Sequence, residues 1–508
     1  MNGEDPNRII NYRPLFLAAV GFMLGSALFG LYSAHGRSSI LAAAAFAVIV
    51  LASAAAFAAA LKRRSTFICI LIAAALLGAA RMSAAAPDTV KEGEYTLRGT
   101  VFEVSGGKKA AVSLCRAELN GAPLKYRVKL ETTGGAPRIG QRIELSCKVR
   151  TPERQWGAYN ERLALLSNGI SLKASGGSYT VVSDNDLPVW RTICGVKQAL
   201  HNRIMELFPE NGTIVAGFLL GERTGMDEYD EECFKETGTA HLLTLSGFHV
   251  GLITALLFFL LPKRFPWLRF AAVTLFLLFY CSITAFAPSL VRASIMCVCI
   301  MIADVAERRA DTLSSLSLAA LIILAVSPYK IYSTGFRLSF AATFGIILFT
   351  RMGVRRSKSR AVSYLIELIT VTFAATAATV LFTANTFGVL PAYTLLSNIV
   401  AVPLFSVAVT MSFAALLIGM PLPEIGFIAA WPADRIITGA MRVLGFIRSL
   451  PYSQIRVFRP SSLTAVLLLV LMFFVSPFVL RPLNKRIRAA LPVFLLFTVS
   501  VFADIIRV

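Results

Sequence analysis

Apolar runs of membrane length fill two stretches of this chain, and a region of different texture separates them. A spanning helix needs roughly 20 mainly apolar residues, and segments near 14–34, 38–61 and 65–86 have that form. From Glu94 to Ser183 the runs shorten to strand length, with Gly, Pro and charged residues between them. That pattern predicts a water-soluble β domain. Strands are expected near 95–104, 109–117, 125–130, 140–149 and 170–182, which suits a small OB-like barrel, with a sandwich as the other arrangement. In Lys125-Tyr126-Arg127-Val128-Lys129-Leu130 the polar and apolar positions alternate, placing three cations on one strand face and three packing residues on the other. Residues 184–238 interleave Arg191, Lys197, His201 and Arg203 with apolar positions, a pattern expected of amphipathic helices on a membrane surface.

From 239 onward the chain is almost wholly of membrane character. Spans are expected near 239–261, 267–287, 289–306, 312–327, 336–350, 361–387, 394–419, 462–480 and 489–505. The 425–449 stretch carries Asp434, Arg435 and Arg442 and either spans or lies flat. The expected fold is a polytopic α-helical membrane protein of about 11–13 membrane segments with an inserted extracellular OB-like β-barrel. Its divisions are 1–86 (three helices), 87–183 (β domain), 184–238 (interfacial helices) and 239–508 (membrane core).

Composition agrees: 56% of the 508 residues are hydrophobic and 16% charged, an apolar surplus whose natural sink is lipid. The formal charge of +21 resembles a nucleic-acid signature, yet cytoplasmic loops collect Lys and Arg whatever the protein does. Basic clusters at Lys62–Arg64, Arg351–Arg360 and Arg481–Arg488 are therefore read as cytoplasmic. Threading the spans between them puts the amino terminus inside, as a retained anchor, and residues 87–238 outside. On that outer side, where no such tendency requires cations, Asp88 to Lys173 holds fifteen Lys and Arg against nine Asp and Glu.

Charges inside a bilayer cost about 2.5–3.5 kcal/mol or more at its centre, so each needs a partner or a wet path. Arg292, in Pro288-Ser289-Leu290-Val291-Arg292, and Arg337, in Gly335-Phe336-Arg337-Leu338, are the clearest cases, with snorkelling to headgroups as the plain alternative. The segment Glu236 to Gly251 opens a membrane helix with polar residues. His241 and Thr244 are expected on one helix face and Ser246 and His249 on the next, which suggests a vestibule or constriction. Close packing through Ser246, Gly247 and Gly251 is the bland reading. A nucleophile and base pair of Ser246 and His249 is disfavoured by its single-helix spacing. No zinc-ligand spacing and no phosphate-binding Gly-x-x-x-x-Gly-Lys occurs. No metal, cofactor or self-supplied ATP hydrolysis is expected. Cys115 and Cys147 fall on predicted outer strands and could pair in an oxidising exterior, contributing about 3–4 kcal/mol. Cys194 and Cys233 leave three possible pairings among the four.

Leu219-Leu220-Gly221-Glu222-Arg223-Thr224-Gly225 and Thr239 to Gly251, with its His-Leu-Leu-x-x-Ser-Gly-x-His-Val-Gly, resemble signatures of the ComEC-type DNA uptake channels of bacterial competence. Pro288 to Ala293, Gly335 to Phe340 and Trp156 to Ile170 are similar to further elements of that family, in order. The resemblance implies a non-enzymatic channel for single-stranded DNA across the cytoplasmic membrane. Arg223, His241, Thr244, Ser246, His249, Arg292 and Arg337 are its pathway candidates, and Lys125, Arg127 and Lys129 hold DNA on the outer domain. It also implies a DNA receptor outside, a helicase-type ATPase inside, and a possible homo-oligomer. Many members end in a metallo-β-lactamase-like domain, and with no His-x-His-x-Asp-His here either a separate nuclease acts or none does. The competing class is a small-solute transporter that uses the β domain as a lid.

Overall fold

A computed structural model describes residues 13–34, 65–105, 110–133, 135–152, 155–156, 159–184, 186–222, 225–243, 245, 247–261, 264–350, 359–476 and 483–506. The chain divides into two compact units. One gathers Pro14–Gln198 and Ala320–Ser333, and the other Met1–Arg13, Ala199–Ala319 and Thr334–Val508. They are called the barrel unit and the helical unit.

The barrel unit is built on strands β1 (Gly93–Ser105), β2 (Ala110–Leu119), β3 (Arg127–Thr132), β4 (Arg142–Arg150) and β5 (Ile170–Gly176). Their order is β1-β2-β3-β5-β4, and β4 closes on β1 from Gly93↔Val149 to Thr100↔Arg142. Every pairing is antiparallel except β3 with β5. The result is the closed five-stranded barrel that the strand count predicts. Period-two alternation fills it: Val128 and Leu130 on β3, Ile143, Leu145 and Val149 on β4, and Leu172 on β5 point into one buried core with Leu97, Val101 and Leu114. The single strand expected over 170–182 is two, since β6 (Thr180–Ser183) pairs separately with the start of β4.

Helices α1 (Pro14–Ala34) and α2 (Ser65–Ala84) belong to the same unit and touch backbone to backbone. A Cβ on Gly25 would lie 1.9 Å from the Ala75 carbonyl oxygen, so only glycine permits this approach. The barrel is tied to the helix ends. Tyr126 Oη donates to the Ala85 carbonyl at 2.5 Å, and Leu163 and Leu166 of α3 (Glu161–Ser167) pack with Phe29, Met82 and Tyr329. The Arg81 guanidinium donates to the carbonyls of Ala325 and Val326 at 2.6 and 2.9 Å, satisfying groups that a helix leaves unpaired at its C-terminus.

In chain order the helical unit contains the end of α4 (Pro188–Leu207), then α5 (Gly212–Leu220), α6 (Glu228–Glu236), α7 (Gly247–Leu260), α8 (Pro266–Ile283) and α9 (Pro288–Val305). After α10 (Thr312–Val326) come α11 (Thr334–Thr350), α12 (Arg360–Phe387), α13 (Thr394–Gly419), α14 (Pro423–Ser449), α15 (Ser462–Val475) and α16 (Leu483–Ile506). Among the described residues α8, α9, α12 and α13 are long and apolar enough to cross a membrane, and seven shorter apolar helices accompany them. The 425–449 stretch is one continuous helix, and Gly426 sits against Gly419 where α14 turns back on α13.

Two expectations change. Of the amphipathic helices expected over 184–238, α5 is apolar and buried except at the half-buried Thr213, packing Phe218 against Phe405. The helix expected from 239 begins only at Gly247. Gly238 adopts a left-handed φ of 75° after α6, and the amides of Gly238 and Thr239 return to the carbonyls of Lys235 and Phe234. This helix stop orients the chain away from α6, and Thr239 to Leu243 runs on in turns and a bend.

Candidate functional site

Two sets of cations carry the functional question, one in each unit. On the barrel the cations expected along one strand are separated by their surroundings. Lys125 precedes β3, exposed, with its amide held by Asp88 Oδ2 at 3.0 Å. Arg127 is not a free cation: it donates to the Asn168 carbonyl and its guanidinium lies 4.6 Å over the Phe102 ring. Burial pushes its pKa below the usual arginine value. Lys129 lies half-buried between inward-facing Val128 and Leu130, on the outer side that the alternation expects. What sequence reasoning missed lies across the strands. Lys129 on β3 pairs in register with Lys173 on β5, and Lys173 with Arg150 on β4, so three cations form one row on the outer face. Lys173 is braced by Glu161 of α3, and Arg150 is exposed. Like charges directly opposite one another disfavour a sheet, and here they present a linear positive ridge of the kind a phosphate backbone can follow.

Base stacking has little to work with on this face. Phe102 is already stacked on Trp190 at 4.3 Å and 9°, with the indole N–H donating to the Phe102 carbonyl at 2.8 Å. Tyr126 is committed to the helices. Contact through phosphates, indifferent to sequence, is what the row can offer.

The Cys115–Cys147 pair does not form. All eight cysteines are free thiols. Cys115 lies opposite Thr100 of β1 and Cys147 opposite Tyr95 on its other side. Those positions are about 17 Å apart along the strand at about 3.3 Å per residue, while a disulfide needs Cα atoms within about 7 Å. Burial raises both thiols, Cys147 to about 11.

In the helical unit Arg292 is buried, 7% exposed, in the first third of α9. Its Nη1 donates to the Ser339 carbonyl and to Thr343 Oγ1, both on α11. Its Nε is buried without a hydrogen-bond partner, and no carboxylate pairs with it among the described residues. Arg337, on the same α11, donates to Ser462 Oγ at the start of α15 at 3.2 Å. Snorkelling therefore does not describe Arg292, whose guanidinium is fixed inside the helix packing. His249 is 1% exposed and stacks on Phe218, with centroids 6.2 Å apart. His241 is exposed, its Nδ1 3.3 Å from the Gly238 carbonyl. The two histidines do not share a helix. Arg223, Thr244 and Ser246 lie outside the described residues, as do the basic residues 62–64, 351–358 and 481–482.

Several polar ties escaped sequence reasoning. Glu222, beside the helix-ending Gly221, holds His201 Nδ1 at 2.7 Å. Arg448 of α14 grips Glu232 and Glu236 of α6, each at 2.7 Å. Asn211 donates to buried Asp434 at 2.9 Å, and Asp504 accepts from the Ser461 amide at 2.7 Å at the start of α15. The only sequence signal for the first is the acid that follows Leu219-Leu220-Gly221; the others pair residues far apart in the chain.

A family model described as Competence protein matches residues 218–482. ComE operon protein 3 of Bacillus subtilis is 33% identical over 143 residues, 28% of this chain and 18% of that protein. Recombination protein 2 of Haemophilus influenzae is 24% identical over 217 residues, 41% of this chain and 27% of that protein. An uncharacterized protein of Aquifex aeolicus is 30% identical over 159 residues, 30% of this chain and 38% of that protein. The matched segments thus span well under half of each relative's length. No solved structure matches this chain.

Proposed function

This chain belongs to the Competence protein family, and from that premise we propose that it is the channel through which single-stranded DNA crosses the cytoplasmic membrane during natural transformation. It is a membrane protein. The observation that carries the DNA reading is the cross-strand row of Lys129, Lys173 and Arg150. The row faces out from a folded barrel, with Lys129 and Arg150 flanking a Lys173 that Glu161 braces. In this reading the barrel receives the strand outside the cell, the amino terminus lies in the cytoplasm, and the helical unit forms the pathway past Arg292 and Arg337. The partners are a DNA receptor outside and a helicase-type ATPase inside that supplies the pull.

Deletion of the gene, scored by uptake of a labelled DNA strand into the cytoplasm, tests the assignment. Transformation is expected to disappear and to return when the chain is restored. Unchanged uptake in the deletion strain overturns it, and competition by a small solute in place of polyanionic DNA assigns the protein to the solute transporters instead.

A further inference from the structure

Where α12 ends and α15 begins, the helical unit carries a small β ladder. β7 (Val389–Pro391) joins α12 to α13, β8 (Gln454–Arg456) joins α14 to α15, and they pair antiparallel from Val389↔Arg456 to Pro391↔Gln454. The Val457 amide extends the ladder to the Gly388 carbonyl at 3.1 Å, and the Ala392 amide to the Ser453 carbonyl at 3.0 Å. β8 is exposed at every position, and among the described residues no third strand covers its outer edge. Open sheet edges are not tolerated in hydrocarbon, so the ladder stands in water. Its turn projects Tyr452, 86% exposed, from a left-handed φ of 58° that favours glycine and strains a bulky residue. Tyr393 Oη fixes the turn by donating to the Pro451 carbonyl at 2.9 Å. Arg456, Phe458 and Arg459 follow, all exposed. Arg459 lies against the backbone at Gly388, where a Cβ would meet its Nε at 3.0 Å. Among the described residues neither arginine meets a carboxylate, and neither the Tyr452 nor the Phe458 ring meets another aromatic. Residues 388–396 and 450–463 contain no acid. Asp504, which reaches the end of the segment, is held by the Ser461 amide and the Thr464 hydroxyl.

We infer that this ladder is a second contact for single-stranded DNA, with Tyr452 and Phe458 as stacking rings and Arg456 and Arg459 as phosphate contacts. Exposed rings interleaved with free cations are the means by which proteins hold single strands without reading sequence. The barrel lacks the rings, because Phe102 is stacked on Trp190 and Tyr126 is packed among the helices. A ring as exposed as Tyr452 adds nothing to a core, so packing does not offset the strain of its backbone, and strain of that kind gathers at binding sites. Ser462, three residues past Arg459, accepts from Arg337, so the ladder adjoins a pathway candidate of the same unit. Aromatic and arginine side chains also anchor proteins at membrane interfaces; the solvated edge of β8 favours the strand. That the polyanion is DNA rests on the transport reading.

The full chain is reconstituted in nanodiscs of zwitterionic lipid, with Lys129, Lys173 and Arg150 changed to Gln so that the barrel row does not dominate binding. Two fluorescent probes are followed by anisotropy: an oligothymidylate, and an abasic strand of the same length that keeps the phosphates and lacks the bases. Tyr452→Gly combined with Phe458→Ala is expected to weaken oligothymidylate binding about tenfold or more and to leave the abasic strand unchanged. Glycine suits the left-handed turn, so the ladder survives the change. Tyr452→Phe keeps the ring and should bind as the parent does. Arg456→Gln combined with Arg459→Gln should weaken both probes and make the slope of log affinity against log salt shallower by about 1.4, at about 0.7 per phosphate. Oligothymidylate binding that is equal in the parent and in the ring variant overturns the contact. So does a parent that binds neither probe, while cellular uptake still decides the transport reading by itself. In discs doped with phosphatidylglycerol, native mass spectrometry follows retained lipid. If the arginine changes release that lipid and alter neither probe, the ladder is a membrane anchor and the proposal falls.

Discussion

The barrel row and Arg292 are two solutions to presenting positive charge, and they differ in what holds the charge in place. Lys129, Lys173 and Arg150 stand on the outer face of a sheet, where their mutual repulsion is screened by salt over about 8 Å at physiological ionic strength. Arg292 sits at 7% exposure, orphaned at Nε and locked to α11, where screening does not reach. In the proposed function the row meets the polyanion first, and its contacts weaken as salt rises.

Side-by-side uptake assays break or confirm this contrast most strongly. Arg292→Leu should reduce uptake of labelled DNA about a hundredfold or more while the protein remains abundant in the membrane, because a buried, oriented charge contact is worth about 2–5 kcal/mol. Changing Lys129, Lys173 and Arg150 together to Gln should lower uptake less and act on binding instead. The slope of log affinity against log salt should become shallower by about 2, at about 0.7 per neutralised phosphate on a single strand. Equal effects of the two changes would erase the distinction.

A sharper comparison lies within β3, where Arg127 and Lys129 are two residues apart on the same face. Arg127→Gln should destabilise the barrel unit by about 1–3 kcal/mol, since it removes a charged hydrogen bond and a contact over Phe102. Denaturant unfolding followed by Trp190 fluorescence measures this. The salt slope for DNA should stay unchanged. The reverse pattern, a stable fold with a shallower slope, would return Arg127 to the binding face.

The smallest effect expected concerns pH. Burial raises the Tyr126 phenol from 10 to about 12. A raised folded-state pKa favours the neutral phenol, so its contribution is fully present below pH 10 and is lost as pH rises toward about 12. Tyr126→Phe removes the bond to Ala85 and should flatten that decline while costing about 0.5–1.5 kcal/mol at neutral pH. A decline just as steep in the Phe variant would mean that another group governs it.

Local patterns determined much of this protein. Apolar runs marked the membrane helices, and alternation marked Val128 and Leu130 as inward and Lys129 as outward, because side-chain direction along a strand follows from neighbouring residues alone. Gly238 could be read as a helix stop only once α6 was known to end beside it, so the expected helix was placed eight residues too early. Tertiary structure decided which strands became neighbours. The parallel pairing of β3 with β5 joins residues some forty positions apart, and it set Lys173 beside Lys129. Barrel closure put β1 between Cys115 and Cys147, which left those thiols unpaired. The Asn168 carbonyl and the Phe102 ring turned Arg127 from a binding cation into a structural one. An arginine in a membrane helix announces from sequence alone that it needs a partner, but only the packing of α7, α9 and α11 shows that no carboxylate among the described residues provides it. A charge's environment is a property of the space around it, and that space is assembled from segments that sequence adjacency never brings together.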